Sequence, residues 1–180
     1  DIVVVKAGRL VDVVGERVLR DQVIVVEDDR IREVGPAGSV TIPLGAAEID
    51  LSAFSVMPGF IDTHTHVTSD PTISFYDYYH VSVGREAVLG VMNARRSLLA
   101  GFTVLRNVGA TGYSDVGLRD GIERGDVMGP RIFAAGPLIG ITGGHCDENN
   151  LAPEYNYSSE GVADGVDAVP LAAVEALDVA

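Results

Sequence analysis

The chain has 180 residues, of which 47% are hydrophobic and 22% are charged, and such a composition is typical of a soluble globular protein. Its formal net charge of -13 argues against nucleic acid or an anionic membrane as a partner, because both would repel it. No run of roughly 18 or more apolar residues occurs, so a membrane-spanning helix is not expected. Cys146 is the single cysteine, which excludes an internal disulfide and favours a reducing compartment. We therefore expect the cytoplasm, with a secreted form that has lost its signal as the alternative.

Residues 1–57 are predicted to form a small β-domain. Short runs of valine and isoleucine without a helical period are typical of strands. The predicted strands are residues 2–5, 23–27 and 30–34. Asp28 and Asp29 have the spacing of a tight hairpin turn, and residues 48–51 lead towards the next strand. We interpret this region as a structural platform, with an independent all-β module as the alternative.

The stretch Pro-Gly-Phe-Ile-Asp-Thr-His-Thr-His at residues 58–66 predicts a short strand that ends in a polar site. Side chains of a strand alternate between faces, so Asp62, His64 and His66 are predicted to point the same way. Two imidazoles one strand repeat apart suit a single divalent metal ion such as zinc. Asp62 is then a carboxylate that orients a ligand from behind. The alternative is that two histidines stand at a polar strand end by chance.

A polar segment at residues 68–80 follows, and its tyrosines either line a substrate pocket or pack the loop against its neighbours. These are Tyr76, Tyr78 and Tyr79. A helix is predicted over residues 82–100, because apolar residues recur there at helical spacing while Glu86 lies largely off that face. The apolar positions are Ala87, Val91, Ala94 and Leu98. Gly101 has the position just past a helix end.

Further elements alternate between strand and helix. The pattern predicts strands at residues 102–105 and 131–136, and helices at residues 114–125 and 166–180. Gly117 and Gly121 weaken the first of these helices. Strand–helix alternation of this kind is typical of a parallel sheet or barrel.

The run at residues 58–66 closely resembles the first-strand signature of the amidohydrolase superfamily, in its imidazolonepropionase and prolidase-like branch. The resemblance implies an α/β fold, a metal-dependent (β/α)8 barrel preceded by a small β-sandwich-like domain. A complete barrel takes about 250 residues, which this chain cannot supply. We therefore expect the β-domain over residues 1–57 and about three βα units over residues 58–180, truncated before the fourth barrel strand.

The resemblance also implies the chemistry. It implies hydrolysis of an amide- or peptide-like bond in a small molecule, by attack of a metal-bound hydroxide on a carbonyl. Two divalent metal ions per site, expected to be Zn²⁺, would be the cofactors, and His64 and His66 would bind one of them. The family's carboxylated lysine, later histidines and catalytic aspartate belong to strands beyond this chain. We therefore expect the chain alone to bind metal weakly and to be inactive.

Two further residues are predicted to contact substrate. Thr-Gly-Gly-His-Cys-Asp at residues 142–147 presents His145 on a loop, and the resemblance places such a histidine near a substrate carbonyl or carboxylate. Arg106 opens Arg-Asn-Val-Gly where the resemblance leads to Arg-Asp-Val-Gly, so Asn107 lacks the charge that would pair with it. Arg106 is interpreted as mainly structural, with substrate binding as the alternative. Cys146 is interpreted as a packing residue rather than a nucleophile.

Rival functions stay open at the sequence level. One is a non-catalytic binding or scaffold protein that keeps the histidine strand as a relic. Another is a different hydrolase of the same superfamily, such as a cyclic amidase, deaminase or deacetylase. The expected partner is a small-molecule amide or dipeptide-like substrate, without nucleic acid or membrane, and homo-oligomerisation of the longer enzyme is left open. The Gly-Gly-His-Cys-Asp loop favours the peptidase-like substrate.

Overall fold

The computed structural model describes residues 1–147 and 151–169, and the chain divides into two compact units. The first unit is Asp1–Pro58 and the second is Gly59–Ala180. The sequence interpretation placed this boundary one residue earlier. Within the described residues, no helix has the length and apolar character needed to cross a membrane.

The first unit is built on one four-stranded sheet. Its strands are β1 (Ile2–Asp12), β2 (Arg17–Glu27), β3 (Arg30–Pro36) and β4 (Ala47–Val56). They lie in the order β3-β2-β1-β4, with β1 antiparallel to β2 and parallel to β4. The three predicted strands are confirmed, and two of them run well beyond their predicted ends. Residues 48–51, expected as a lead-in, belong to β4, which completes a single sheet where a sandwich-like arrangement was expected.

A buried valine cluster holds this sheet together. Its members are Val4, Val23, Val25 and Val40. Burying such side chains stabilises the unit by roughly 1.5–3 kcal/mol each relative to an exposed position. Asp28 takes the positive φ of 55° that the predicted tight turn requires, and Glu27 pairs with Arg30 across it. The predicted hairpin is therefore confirmed.

The second unit contains a three-stranded parallel sheet with helices in its connections. The strands are β5 (Phe60–Thr65), β6 (Phe102–Asn107) and β7 (Arg131–Phe133), in the order β5-β6-β7. The helices are α1 (Phe75–Tyr78), α2 (Val83–Leu99) and α3 (Ser114–Glu123), and a 3-10 turn spans Pro153–Tyr155. Both strand pairs are parallel, so the predicted parallel arrangement is confirmed.

Helix α2 begins and ends where local chemistry predicts. The hydroxyl of Ser82 accepts the backbone N–H of Arg85 at 3.2 Å, which caps the first turn. Gly101 follows the last turn at a φ of +99°, a conformation that glycine adopts without steric cost. The prediction that Glu86 lies largely off the buried face of the helix is wrong, because only 1% of the residue is exposed. Its carboxylate accepts the Ser114 hydroxyl at 3.0 Å, so a tertiary hydrogen bond draws it inward.

Two predicted elements differ from the structure or lie beyond it. Strand β7 ends at Phe133, three residues before the predicted end. The N–H groups of Ala135 and Gly136 donate to the carboxylate of Asp115, each at 3.1 Å, and are lost to the strand ladder. The helix predicted at residues 166–180 lies largely outside the described residues, which end at Val169.

Strands β6 and β7 have two unlike faces. On the covered face, Leu105 and Ile132 are register partners with 2% and 3% of their surface exposed. They pack in a cluster with Val67, which follows β5, with Ala94 of α2 and with Leu118 of α3. On the open face, the register partners are Arg106 and Phe133, and Phe133 is 58% exposed. Within residues 1–147 and 151–169, the helices therefore cover one side of the sheet and leave the other uncovered.

Candidate metal and substrate site

The predicted histidine pair lies at the end of β5. The imidazole centroids of His64 and His66 are 5.8 Å apart, with an angle of 72° between the ring planes. Both side chains are exposed. The register against β6 shifts between Asp62 and Thr65, so the strand does not alternate as regularly as predicted. The two exposed rings nevertheless lie next to each other at the end of the strand.

One imidazole is held in a defined orientation. Nδ1 of His66 lies 3.3 Å from the carbonyl oxygen of Gly109. A carbonyl oxygen only accepts, so the contact is a hydrogen bond only when Nδ1 carries a proton, and a neutral ring of that kind has its lone pair on Nε2. Histidines that bind metal typically donate their other ring nitrogen to a carbonyl or carboxylate in this way.

Asp62 acts on the strand rather than on a ring. Its Oδ1 accepts the backbone N–H of His64 at 3.0 Å, two residues along the chain. This contact fixes the backbone that carries the first imidazole. That Asp62 orients a metal ligand stays a prediction. Its hydrogen bond reaches the backbone of His64 and not the imidazole ring.

The donor set suits a metal ion only in part. Among residues 1–147 and 151–169, no group of three or more His, Cys, Asp or Glu side chains is placed to hold a metal ion. Catalytic zinc sites normally use three protein ligands and an open position. His64 and His66 fit two of those places, and their exposed side chains leave room for further ligands.

A pocket of about 580 Å³ adjoins the second histidine. Its lining includes His66, Tyr78, Gly109, His145, Cys146 and Glu160. The structure therefore brings two predicted site residues, His66 and His145, to one cavity. A volume of this size accommodates a small-molecule ligand.

The loop that carries His145 is fastened at both ends by carboxylates. Asp164 accepts the N–H and the hydroxyl of Thr142 at 3.0 and 2.6 Å, and these bonds hold the pKa of Asp164 below its ordinary value. Asp147 accepts the N–H of Gly143 at 2.8 Å and that of Ser159 at 3.2 Å. The exposed His145 imidazole thus lies on a constrained loop.

Arg106 and Asn107 point to opposite faces of β6. Arg106 is exposed on the open face, whereas Asn107 is 1% exposed on the covered face. Adjacent residues of a strand cannot pair side chain to side chain, which removes the pairing suggested by the sequence motif. The amide of Asn107 instead donates to Asp115 at 2.9 Å. Arg106 is not among the residues that line the pocket, and substrate binding by it stays a prediction.

The other candidates divide between lining and packing. Tyr78 lines the pocket with its hydroxyl 3.0 Å from that of Thr111, while Tyr79 meets Tyr157 edge to face at 5.7 Å between centroids. Tyr76 is 72% exposed and lines nothing in this cavity. Cys146 is a half-buried free thiol in the wall, which agrees with its interpretation as a packing residue.

Sequence reasoning missed the buried polar group behind the histidine strand. Glu86, Asn107 and Asp115 are each at most 1% exposed. The unexpected residue type at Asn107 was a signal for it. Asp115 carried none, because an acidic residue in the first turn of a helix is ordinary.

Comparison with known proteins identifies the family. Over 54 residues the chain is 41% identical to an imidazolonepropionase from Micrococcus luteus, which covers 30% of this chain and 13% of that protein. Over 68 residues it is 47% identical to an adenine deaminase from Sinorhizobium fredii, covering 37% and 11%. These segments are short relative to either enzyme, so the chain matches only a small part of the relatives' length.

Solved structures match almost the whole chain. A Xaa-Pro dipeptidase with bound methionine has a TM-score of 0.85 at 29% identity, over 99% of this chain and 45% of that one. A prolidase complexed with N-methylphosphonate-L-proline has a TM-score of 0.82 at 30% identity, over 99% and 44%. The chain therefore spans less than half the length of either structure. The model of the Amidohydrolase family matches residues 55–179. The chain thus belongs to the amidohydrolase family, whose members are hydrolytic enzymes and are generally metal-dependent.

Proposed function

We propose that this chain is the first part of a metal-dependent hydrolase that cleaves amide- or peptide-like bonds in a small molecule. The observation that carries the proposal is the pair His64 and His66, with Nδ1 of His66 committed to the Gly109 carbonyl. This geometry leaves Nε2 of His66 to bind a metal ion beside a pocket of substrate size.

The residues present would divide the work as follows. His64 and His66 would hold a divalent metal ion, which we propose is Zn²⁺, and Asp62 would fix the strand backbone beneath it. A bound metal ion supplies a nucleophile at neutral pH, since it lowers the pKa of water to about 7. His145 would orient the substrate by donating a hydrogen bond to its carbonyl or carboxylate. Tyr78 would form part of the wall.

A peptide-like substrate is supported by the structural neighbours. The two described above are a Xaa-Pro dipeptidase and a prolidase, and both match 99% of this chain. We therefore propose a dipeptide-like substrate rather than nucleic acid or a membrane, and cytoplasmic location. Self-association of the longer enzyme belongs to the same proposal.

We also propose that the chain needs further barrel strands for turnover. Two imidazoles do not complete a catalytic zinc site, and the open face around Arg106 and Phe133 has no covering layer among the described residues. The β5-β6-β7 sheet would then be the first part of a (β/α)8 barrel, and the first unit its small β-domain. Strong activity of the isolated chain would contradict this division.

Metal content per chain tests the assignment. Purified wild-type protein would be compared with His64→Ala/His66→Ala, and His80→Ala would control for the loss of an exposed histidine outside the pocket. We expect weak binding of Zn²⁺ that disappears in the double variant and persists in His80→Ala. Equal binding in all three proteins would contradict the ligand pair.

A deaminase is the second candidate, and the match to adenine deaminases favours it. Turnover of the full-length enzyme would separate the two. Cleavage of dipeptides ending in proline without release of ammonia from adenine supports the peptidase proposal, and the reverse result supports the deaminase. Absence of turnover in a metal-loaded enzyme would favour a non-catalytic relic.

A further inference from the structure

The side-chain amide of Asn107 uses its whole hydrogen-bonding capacity. Its Oδ1 accepts the N–H of Val67 at 2.7 Å and the hydroxyl of Thr65 at 3.3 Å. Its Nδ2 donates to the carbonyl of Gly109 at 3.0 Å and to the carboxylate of Asp115 at 2.9 Å. An asparagine amide offers two donors and two acceptor lone pairs, so all four are taken. Only 1% of the residue is exposed, so water cannot replace these hydrogen bonds if they are lost.

Three of these four partners surround the second histidine. Thr65 and Val67 are its neighbours in the chain, and the Gly109 carbonyl is the group that accepts Nδ1–H of His66. Asn107 therefore holds both the backbone that carries the imidazole and the oxygen that orients its ring. Shifting the amide would move the two supports of His66 together.

The fourth partner determines why residue 107 is an amide. Asp115 is fully buried and also accepts the N–H groups of Val116, Ala135 and Gly136. A carboxylate that accepts from every side needs a donor at residue 107. Aspartate at that position would place a second carboxylate against the first and could not donate to the Gly109 carbonyl.

We propose that Asn107 is a positioning residue that holds His66 as the Nδ1–H tautomer, with Nε2 available to a metal ion. Asp115 anchors Asn107 from the helix side. The inference deepens the proposed function, since it rests on His66 being a metal ligand. The part that concerns which nitrogen of the His66 ring carries the proton can be measured without metal.

The test reads the His66 tautomer by ¹⁵N NMR of the full, metal-free chain. Spectra would be recorded over the alkaline pH range in which the His66 signal no longer changes with pH, so that only the neutral ring is observed. His66→Gln assigns the signal. Wild type would be compared with Asn107→Leu and Asn107→Asp, the second of which keeps the acceptor towards Val67 and loses the donors. Asn93→Leu is the matched control, because the Asn93 amide donates to the carbonyls of Val67 and Ser69 and so anchors the same loop from another side.

We expect the Nδ1–H tautomer in wild type and in Asn93→Leu, and a shift towards the Nε2–H tautomer in both Asn107 variants. An Nε2–H tautomer in wild type would overturn the proposal, and this measurement does not require either Asn107 variant to fold. An unchanged His66 signal in a folded Asn107 variant would also overturn it. A residue with a merely structural role would alter stability and leave the tautomer unchanged.

Zn²⁺ affinity, measured against a competing chelator, gives the second arm. We expect the Asn107 variants to bind about 10–100-fold more weakly than wild type, the loss typical of changes behind a metal ligand. If wild type binds no Zn²⁺ while the tautomer shifts as expected, the proposed metal function fails and the positioning role stands. If wild type binds Zn²⁺ and the Asn107 variants bind it equally well, the positioning proposal fails and the metal function stands.

Discussion

The two faces of β6 and β7 differ in what a substitution there would cost. Leu105 and Ile132 are almost fully buried under the helices, whereas Arg106 and Phe133, their direct neighbours in sequence, are exposed. The covered face also carries Asn107, whose polar amide is saturated by hydrogen bonds. Burial on this sheet therefore follows from which side the helices cover, and polar and apolar side chains share the covered side.

The two histidines differ in a similar way: His64 lies in β5, and His66 directly follows that strand. Nδ1 of His66 is tied to the Gly109 carbonyl and through it to the buried Asn107. For His64 the structure gives a backbone bond to Asp62 and a ring contact with His66. Among the described contacts, support from the covered face therefore reaches the ring of His66 directly and that of His64 only through its neighbours.

The largest expected loss of stability comes from removing a buried side chain from the covered face. Leu105→Ala should lower the free energy of unfolding by about 2–5 kcal/mol, because it removes a buried side chain and leaves a cavity. All six tyrosines lie between residues 76 and 157 and the chain has no tryptophan, so tyrosine fluorescence during urea unfolding reports on the second unit. Arg106→Ala is the adjacent control and should change stability by less than about 0.5 kcal/mol. Equal losses would mean that the open face is covered in solution.

A somewhat smaller loss is expected from the buried carboxylate. Asp115→Ala leaves the N–H groups of Ala135 and Gly136 and the amide of Asn107 without their acceptor, and each unsatisfied buried donor costs about 1–3 kcal/mol. Partial relaxation should reduce the total to about 2–4 kcal/mol in urea unfolding. Asp120→Ala, on the same helix but 41% exposed, should cost less than about 1 kcal/mol. A loss as small as that of the control would contradict the anchoring role of Asp115.

The open face should affect association more than stability. Phe133→Ser should lower the free energy of unfolding by about 1–2 kcal/mol, less than Leu105→Ala, since the ring is already 58% exposed. It should also reduce self-association of the isolated chain, because bare apolar surface promotes it. Sedimentation at several concentrations measures this, with Arg131→Ser on the same strand as control. Unchanged association would mean that contacts form elsewhere.

The smallest effect concerns the His145 loop and depends on pH. The Thr142 hydroxyl and N–H hold the pKa of Asp164 below its ordinary 3.8, so the ionised form is the one that the fold favours. The contribution is present above pH 3.8 and is lost as the pH falls through the lowered pKa. The protection factor of the Thr142 N–H against hydrogen exchange, which is corrected for the intrinsic pH dependence of exchange, should therefore fall in strong acid and be constant near neutrality.

Thr142→Val separates this tether from general acid effects. The variant loses the hydroxyl donor and keeps the N–H, so the pKa of Asp164 should rise towards its ordinary value. NMR titration of the Asp164 carboxyl measures it. An identical titration in both proteins would show that the hydroxyl does not support the loop.

Much of the fold could be predicted because its signals are local. Ser82 and Gly101 delimit α2 through a cap and a positive φ, both of which are decided within a turn of the chain. The histidine pair of β5 follows from strand spacing and from the motif that contains it. The order of strands and helices also predicted a parallel sheet, since parallel strands need long connections.

The position of buried polar groups could not be predicted, because it depends on partners far away in sequence. Glu86 lies where helical periodicity suggested a solvent-facing side chain, and Ser114 draws it inward. Strand β7 ends early because Asp115 takes the next N–H groups. Neither partner is visible from the residues themselves.

Local sequence features are therefore enough to infer the family, the parallel α/β layout of the second unit and the two histidines at the end of its first strand. Short-range spacing, caps and a nine-residue motif at residues 58–66 carry that information. The role of Asn107 follows from tertiary contacts instead: its amide supports His66 and does not pair with Arg106. Strand alternation sends residues 106 and 107 to opposite faces, and the packing of α3 on the covered face brings Asp115 within hydrogen-bonding distance of the amide.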